Sequence, residues 1–334
     1  MALAVWSYPY QKTFKAVEGQ AIELDRLDHV RTSVFVVKPF NRNLNFNVIV
    51  AKNAITLEST TEWITKRLIL EKHKQTEITP RYLELVKKAK KQFSTNHSFT
   101  KVVLSRSLFQ ESNSVEFKFL DQLRSAYPSA YISLFSSPNY GTWVTASPEL
   151  LLSCINQELC SYSLAGTRIN GQQEIGEKEK NEQAIVTNAI EKAFKEHGFT
   201  PIIKATELGK SGDLEHLCNQ ILAATEKVES NTILNLLHDL HPTPAVGGHE
   251  RNTALNFIEE NEGHNRALYS GFLGEFNSIS DFSFFVNLRC AQLFSNGIKY
   301  YAGAGITANS IPEKELAETE AKMNVLKSVL SPNG

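Results

Sequence analysis

Apolar residues recur along this chain with two spacings. Short runs rich in β-branched and aromatic residues read as strands: TSVFVVKPF (32–40), FNVIVA (46–51), KVVLSRSLF (101–109), AYISLFSS (130–137), GTWVTAS (141–147), ELLLSCI (149–155), YSGFLGEF (269–276) and FSFFVNLRCAQLF (282–294). Longer polar segments with apolar residues three or four apart read as helices over 79–93, 177–196, 231–237 and 312–330, the first opening with Thr79 as cap and Pro80 as first helical residue. Strands that arrive in groups, rather than alternating singly with helices, predict an α+β fold with largely antiparallel pairing. No internal repeat and no Pro/Gly/Ser-rich linker divides the sequence, so one composite domain over residues 1–334 is expected.

Composition narrows the class. The 334 residues are 42% hydrophobic and carry a formal net charge of -1, so a substantial core can be buried and no global charge draws the chain to nucleic acid. Cys154, Cys160, Cys218 and Cys290 form no CxxC pair, which suggests reduced structural thiols and no zinc site. The start, MALAVWSYPYQKTF, has neither the basic opening nor the apolar run of a signal peptide. No window approaches the roughly 18 apolar residues of a membrane span. A cytoplasmic protein is expected.

Candidate chemistry lies in the second two thirds. Residues three or four apart share a helix face, so the C-terminal helix projects Glu315 and Glu318 side by side with Lys322 a turn later, and EKEKNEQ repeats the device with Glu179 and Glu182. Two such helices offer a hard, oxygen-rich site suited to Mg²⁺; taken alone they read more readily as solvated faces, with Glu182 paired to Lys178. Lys101 opens an apolar strand, where burial would lower its pKa and make it a base, or from which it would snorkel into water. Glu149, set in ASPELLLS, reads as a carboxyl of raised pKa able to donate a proton, or as a strand-start residue facing solvent. LAGTRING and AGAGIT read as Gly turns that let an anionic ligand approach backbone N–H groups, though Gly303-Ala304-Gly305 is no dinucleotide fingerprint. Arg289, within FFVNLRCAQL, asks for an anion to pair with. His238 and His241 stand three apart, but Pro242 beside them points to a helix end rather than a metal pair.

Taken in order, KVVLSR, SPELLLS, LAGT, EKEKNE, HPTPA, LRCAQL, AGAGI and ELAETEAK resemble the chorismate-utilising enzymes, the family of isochorismate, salicylate, anthranilate and aminodeoxychorismate synthases. The likeness is collinear from about Lys101 to Leu330, while residues 1–100 match weakly. It implies a single large α+β domain of two stacked, mostly antiparallel sheets with outer helices. It also implies the isochorismate and salicylate branch, in which a lysine at the position of Lys101 activates water and a glutamate at that of Glu149 protonates the departing C4 hydroxyl. Ala165 stands where aminodeoxychorismate synthases carry a nucleophilic lysine. The resemblance assigns Glu182 and Glu318 to Mg²⁺, with Glu179 and Glu315 nearby or acting through water. Gly166, Ala245, Leu288, Arg289, Gly303 and Lys322 become contacts for chorismate. His216 would lie near the pyruvyl end, or serve as a core histidine.

The usual EWxET reads Glu315-Leu316-Ala317-Glu318-Thr319, so a tryptophan is missing. The resemblance implies isochorismate synthase activity serving menaquinone or siderophore synthesis, with no obligatory glutamine-hydrolysing subunit. Salicylate synthase is the alternative, followed by an anthranilate-type subunit and a noncatalytic homologue.

Overall fold

Strands buried on both faces set the architecture. Ala2–Ser7, Val34–Lys38 and Tyr131–Ser137 are buried at every position, which requires a layer on each side of the sheet that holds them. The computed structural model describes residues 1–28, 30–50, 54–65, 67–74, 81–96, 98–112, 118–169, 176–211, 214–225 and 229–330. Every strand pairing among them is antiparallel.

One sheet runs Gly248–His249, Lys101–Glu111, Gly297–Ile306, Cys290–Phe294, Gly141–Ser147, Tyr131–Ser137, Ala2–Ser7, the first half of Phe14–Leu24, and Ile55–Leu57. The second half of Phe14–Leu24 passes into the other sheet, which continues through Phe46–Val50, Val34–Lys38, Phe272–Ser278, Asp281–Val286, Leu150–Ile155, Glu158–Ile169 and Leu214–Ala224. Apolar residues of both sheets meet in one cluster, in which the rings of Tyr131 and Phe285 stack at 4.1 Å and those of Trp6 and Phe35 lie 5.0 Å apart. Helices Tyr82–Thr95, Phe119–Ala126, Arg251–Asn261 and Pro312–Leu330 pack on the outer face of the first sheet. Helices Glu177–Glu196 and Ser230–Leu240 pack on that of the second. The expected α+β fold of stacked antiparallel sheets with outer helices is the one observed. The first hundred residues are woven into both sheets.

Helices 177–196 and 312–330 have the bounds that their periodicity predicts. Buried Thr319, Met323, Leu326 and Leu330 line one face of the latter. The start expected at Thr79-Pro80 lies outside the described residues, and that helix is seen from Tyr82. Three expectations need correction. FSFFVNLRCAQLF is two strands: Asp281–Val286 ends in one sheet, and Cys290–Phe294 begins in the other. Asn287 makes the crossing possible by donating to the Leu268 carbonyl at 2.9 Å and accepting from Thr145; the apolar pattern continues across the break and hides it. AGAGIT is not a turn, because Ala302–Ile306 ends the strand that pairs with Lys101–Glu111. Gly166 likewise lies inside strand Glu158–Ile169, at an irregularity in register between Ala165 and Thr167; the rest of LAGTRING beyond Ile169 is outside the described residues.

Candidate active site

Where the first sheet's buried strands face the helix Glu177–Glu196, a cavity of about 660 Å³, measured out to its mouth, opens to solvent. Its walls bring together Lys101, Glu149, Gly166, Glu182, His216 and Ala245. Leu288, Arg289, Gly303, Glu318 and Lys322 complete the set of sequence-derived candidates that reach it. Lys101 and Glu149 are each only 1% exposed, so neither the snorkelling lysine nor the solvent-facing glutamate is what this chain builds.

Each functional side chain is held by its element. Lys101 heads a strand locked between Gly297–Ile306 and Gly248–His249, and its Nζ stands 3.9 Å from Glu182 Oε2. Gly305 makes that approach possible: a Cβ there would come within 3.1 Å of both Lys101 Cε and Glu182 Oε2. Gly166 has φ +67°, and a Cβ would lie 2.9 Å from that of Glu179, so the helix bearing Glu182 seats directly on glycine backbone. Leu288 and Arg289 occupy the crossing between sheets, where Arg289 takes φ +46°. This turn aims the guanidinium inward, to donate to His216 Nε2 at 2.9 Å.

Burial governs the titration of these groups. It pushes Glu149 up to about 8 against the pull of Lys101, Lys322 and Arg289, and Glu149 Oε1 is buried without a hydrogen-bond partner. At neutral pH this carboxyl is mostly protonated and able to donate. Burial lowers Lys101 below its ordinary value, although Glu182 draws it back, which favours the free amine that a base needs. His216 is pushed well below its ordinary range by burial and by Arg289, so it is the neutral acceptor of that bond. Arg289 itself is lowered to about 10 by burial, opposed by Glu318, Tyr269 and Glu149, and its Nε is buried and unpartnered. A buried guanidinium with a spare donor is an anion site.

The two carboxylate pairs split. Glu182 and Glu318 line the cavity, whereas Glu179 and Glu315 do not. The Glu179 carboxylate turns back to accept the Gly176 N–H at 2.9 Å, capping its own helix. Buried Glu315 accepts Lys178 Nζ at 2.7 Å. Lys178 also lies 3.8 Å from Glu182 Oε1, and Lys322 bridges Glu318 Oε1 at 2.6 Å and the Gly303 carbonyl at 2.9 Å. Burial raises the pKa of Glu182, and Glu318 adds to the rise against Lys101 and Lys178. Glu315 is raised by burial and by Glu318. The Glu318 carboxylate therefore acts both on Glu182 of the other helix and on Glu315 of its own. Among the described residues, no three His, Cys, Asp or Glu side chains gather closely enough to hold a metal unaided. Glu182 Oε1 has no hydrogen-bond partner, so the arrangement suits a hard cation that takes two protein carboxylates and fills its remaining positions with water or an anionic substrate, the habit of Mg²⁺.

Sequence reasoning missed Tyr269, Tyr301 and Lys178. The two tyrosines line the cavity with their rings stacked at 5.8 Å. Tyr269 reads in the sequence only as the start of a strand, which the structure begins at Phe272. Lys178 reads in the sequence only as a partner of Glu182, and its contact with Glu315 crosses between helices. His238 and His241 are kept apart: His241 is buried with Nε2 3.1 Å from the Pro39 carbonyl, whereas His238 is exposed beside Arg42.

Fold and cavity place a buried lysine, a buried carboxyl and a buried guanidinium around one space. The chain belongs to the chorismate-binding enzyme family, whose model matches residues 37–331. It is 31% identical over 251 residues to the salicylate biosynthesis isochorismate synthase of Pseudomonas aeruginosa, an alignment covering 71% of this chain and 52% of that protein. It is also 31% identical over 257 residues to the vibriobactin-specific isochorismate synthase of Vibrio cholerae, covering 72% of this chain and 63% of the relative. The chain thus spans between half and two thirds of the length of these relatives. Its fold superposes with a TM-score of 0.82 on DhbC from Bacillus anthracis, assigned as a 2,3-dihydroxybenzoate-specific isochorismate synthase, at 26% identity and covering 98% of this chain and 96% of that one.

Proposed function

We propose that the chain is an isochorismate synthase, converting chorismate reversibly to isochorismate. The observation that carries the reading is the pairing of Lys101 and Glu149, both fully buried on the walls of one cavity and close enough for each to shift the other's titration. Water gives a proton to Lys101 Nζ as its oxygen bonds to C2 of the ring. The ring double bond shifts, the C4–O bond breaks, and Glu149 protonates the departing hydroxide to water. One water is consumed and one released, so the product is an isomer. Arg289 and Lys322 supply the cations that a dicarboxylate needs, and neutral His216 fixes the guanidinium. Tyr269 and Tyr301 offer the ring an apolar wall.

Glu182 and Glu318 would hold Mg²⁺, which supplies charge neutralisation for a substrate carboxylate when bound. The amine nucleophile of related chemistry is not needed where Lys101 activates water, so no glutamine-hydrolysing partner is part of this reading. Four free thiols suit a reducing cytoplasmic setting, and no helix among the described residues is long and apolar enough to cross a membrane.

Product analysis decides the matter. Purified protein incubated with chorismate and Mg²⁺ should yield isochorismate without salicylate or pyruvate; prompt release of those two, or an ammonia-dependent fluorescent amine, would reassign the reaction. Glu318→Gln should raise the Mg²⁺ concentration for half-maximal activity at least tenfold, and an unchanged requirement would remove this residue from the metal.

A further inference from the structure

A second cavity, of about 1100 Å³ out to its mouth, lies between the segment 38–46, residues 25–27 and the helix Ser230–Leu240. Leu27, Leu237 and Phe272, each 2% exposed or less, give it an apolar floor, where the ring of Phe46 meets that of Phe272 edge-on at 6.1 Å, while Asp25, Asn43, Asn45 and Asn235 line it elsewhere. Three cations, Arg26, Lys38 and Arg42, line it as well. Lys38, 7% exposed, places its ammonium 4.6 Å from the centre of the Phe46 ring and donates to the carbonyls of Arg42 and Leu44. Arg42 holds its guanidinium against the His238 ring at 3.1 Å, with the Asp239 carboxylate at 3.7 Å, and its Nε is buried with no hydrogen-bond partner.

Asp239 is shared, accepting His197 Nε2 at 2.9 Å and lying 3.2 Å from His238 Nδ1. It compensates Arg42 poorly, and no carboxylate bridges Lys38 among the contacts that hold it. A pocket of ligand size with an apolar floor, and with Arg26, Lys38 and Arg42 against the single lining carboxylate Asp25, is complementary to a flat apolar body carrying one negative group. A phosphate or a polyanion would leave the aromatic and leucine walls without an apolar partner. His241 also lines this cavity, and the same strand of backbone runs on to Ala245 and Val246, which line the candidate active site.

We propose that this cavity is a second ligand site, taking a small aromatic monocarboxylate with its ring between Phe46, Leu237 and Phe272 and its carboxylate on Arg42. It is separate from the catalytic cavity and shares with it only the segment that carries His241 to Val246.

Calorimetric titration with 2-naphthoate tests this without reference to turnover. The wild-type protein should show a saturable event that Arg42→Gln weakens at least about tenfold, the effect of losing one charge-assisted partner. Asn235→Trp, which adds bulk to an exposed lining position, should abolish it. Arg289→Gln should leave it unchanged, since that residue belongs to the other cavity. Thermal melting of each variant checks that it folds. Absence of saturable binding to the wild type would overturn the proposal, as would binding lost in Arg289→Gln but kept in Arg42→Gln and Asn235→Trp, which places the probe in the catalytic cavity.

Discussion

The proposed chemistry rests on two side chains whose charged forms burial disfavours. Burial lowers the Lys101 amine and raises the Glu149 carboxyl, so each moves toward the neutral form that the proposed proton transfers use. Lys101→Ala and Glu149→Gln should each lower turnover by roughly 10²- to 10⁴-fold with the fold intact by circular dichroism; full activity in either would remove its role. The protonated fraction of Glu149 halves near its value of about 8, so kcat/KM should decline as pH rises through that region. The same shift makes a stability statement. A carboxyl raised above its unfolded value binds its proton more tightly in the native state, so the contribution is complete below the unfolded value of 4.5 and is lost as pH climbs through about 8. The residue types were legible in the sequence, Lys101 at the head of an apolar strand and Glu149 before a run of leucines. Which of two opposite fates each meets was not, because burial is conferred by strands far away in the chain.

At the scale of elements, helices 177–196 and 312–330 show what spacing can and cannot say. Residues three apart on a helix are offset by about 60° around the axis and about 4.5 Å along it, so a glutamate pair is splayed rather than parallel. Each helix consequently sends one carboxylate into the cavity and turns the other to a structural contact: Glu179 caps its own helix and Glu315 accepts Lys178 of the neighbouring one. The glycines belong to the same level. They looked like turns because glycine usually marks turns, and they are instead positions where a strand must let a helix or a lysine come close. Gly166→Ala should destabilise the protein by about 1–3 kcal/mol in denaturant unfolding, since it adds a left-handed penalty and a Cβ 2.9 Å from Glu179. A neutral result would mean that the helix is free to move away, which would also loosen Glu182.

Across the whole molecule, the cavity exists because two antiparallel sheets share one core and exchange a strand's worth of backbone at residues 287–289. Phe285, stacked on Tyr131 in that core, anchors the strand that leads into Leu288 and Arg289. Phe285→Ala should cost about 3–5 kcal/mol of unfolding free energy, measured by urea titration, and a cost below 1 kcal/mol would show the intersheet core to be unimportant. Periodicity alone determined the strand-and-helix inventory of much of the chain, the antiparallel α+β class and both acidic helices, because those depend on residues a few positions apart. It missed strands such as Ala2–Ser7 and Gly297–Ile306, whose pattern is weak without their neighbours. Only the tertiary structure decided that FSFFVNLRCAQLF changes sheets at Asn287, that Lys101 and Glu149 are buried, and that Glu182 and Glu318 face one space while Glu179 and Glu315 do not. Those outcomes follow from desolvation and side-chain direction, both of which are set by partners brought together from distant parts of the chain.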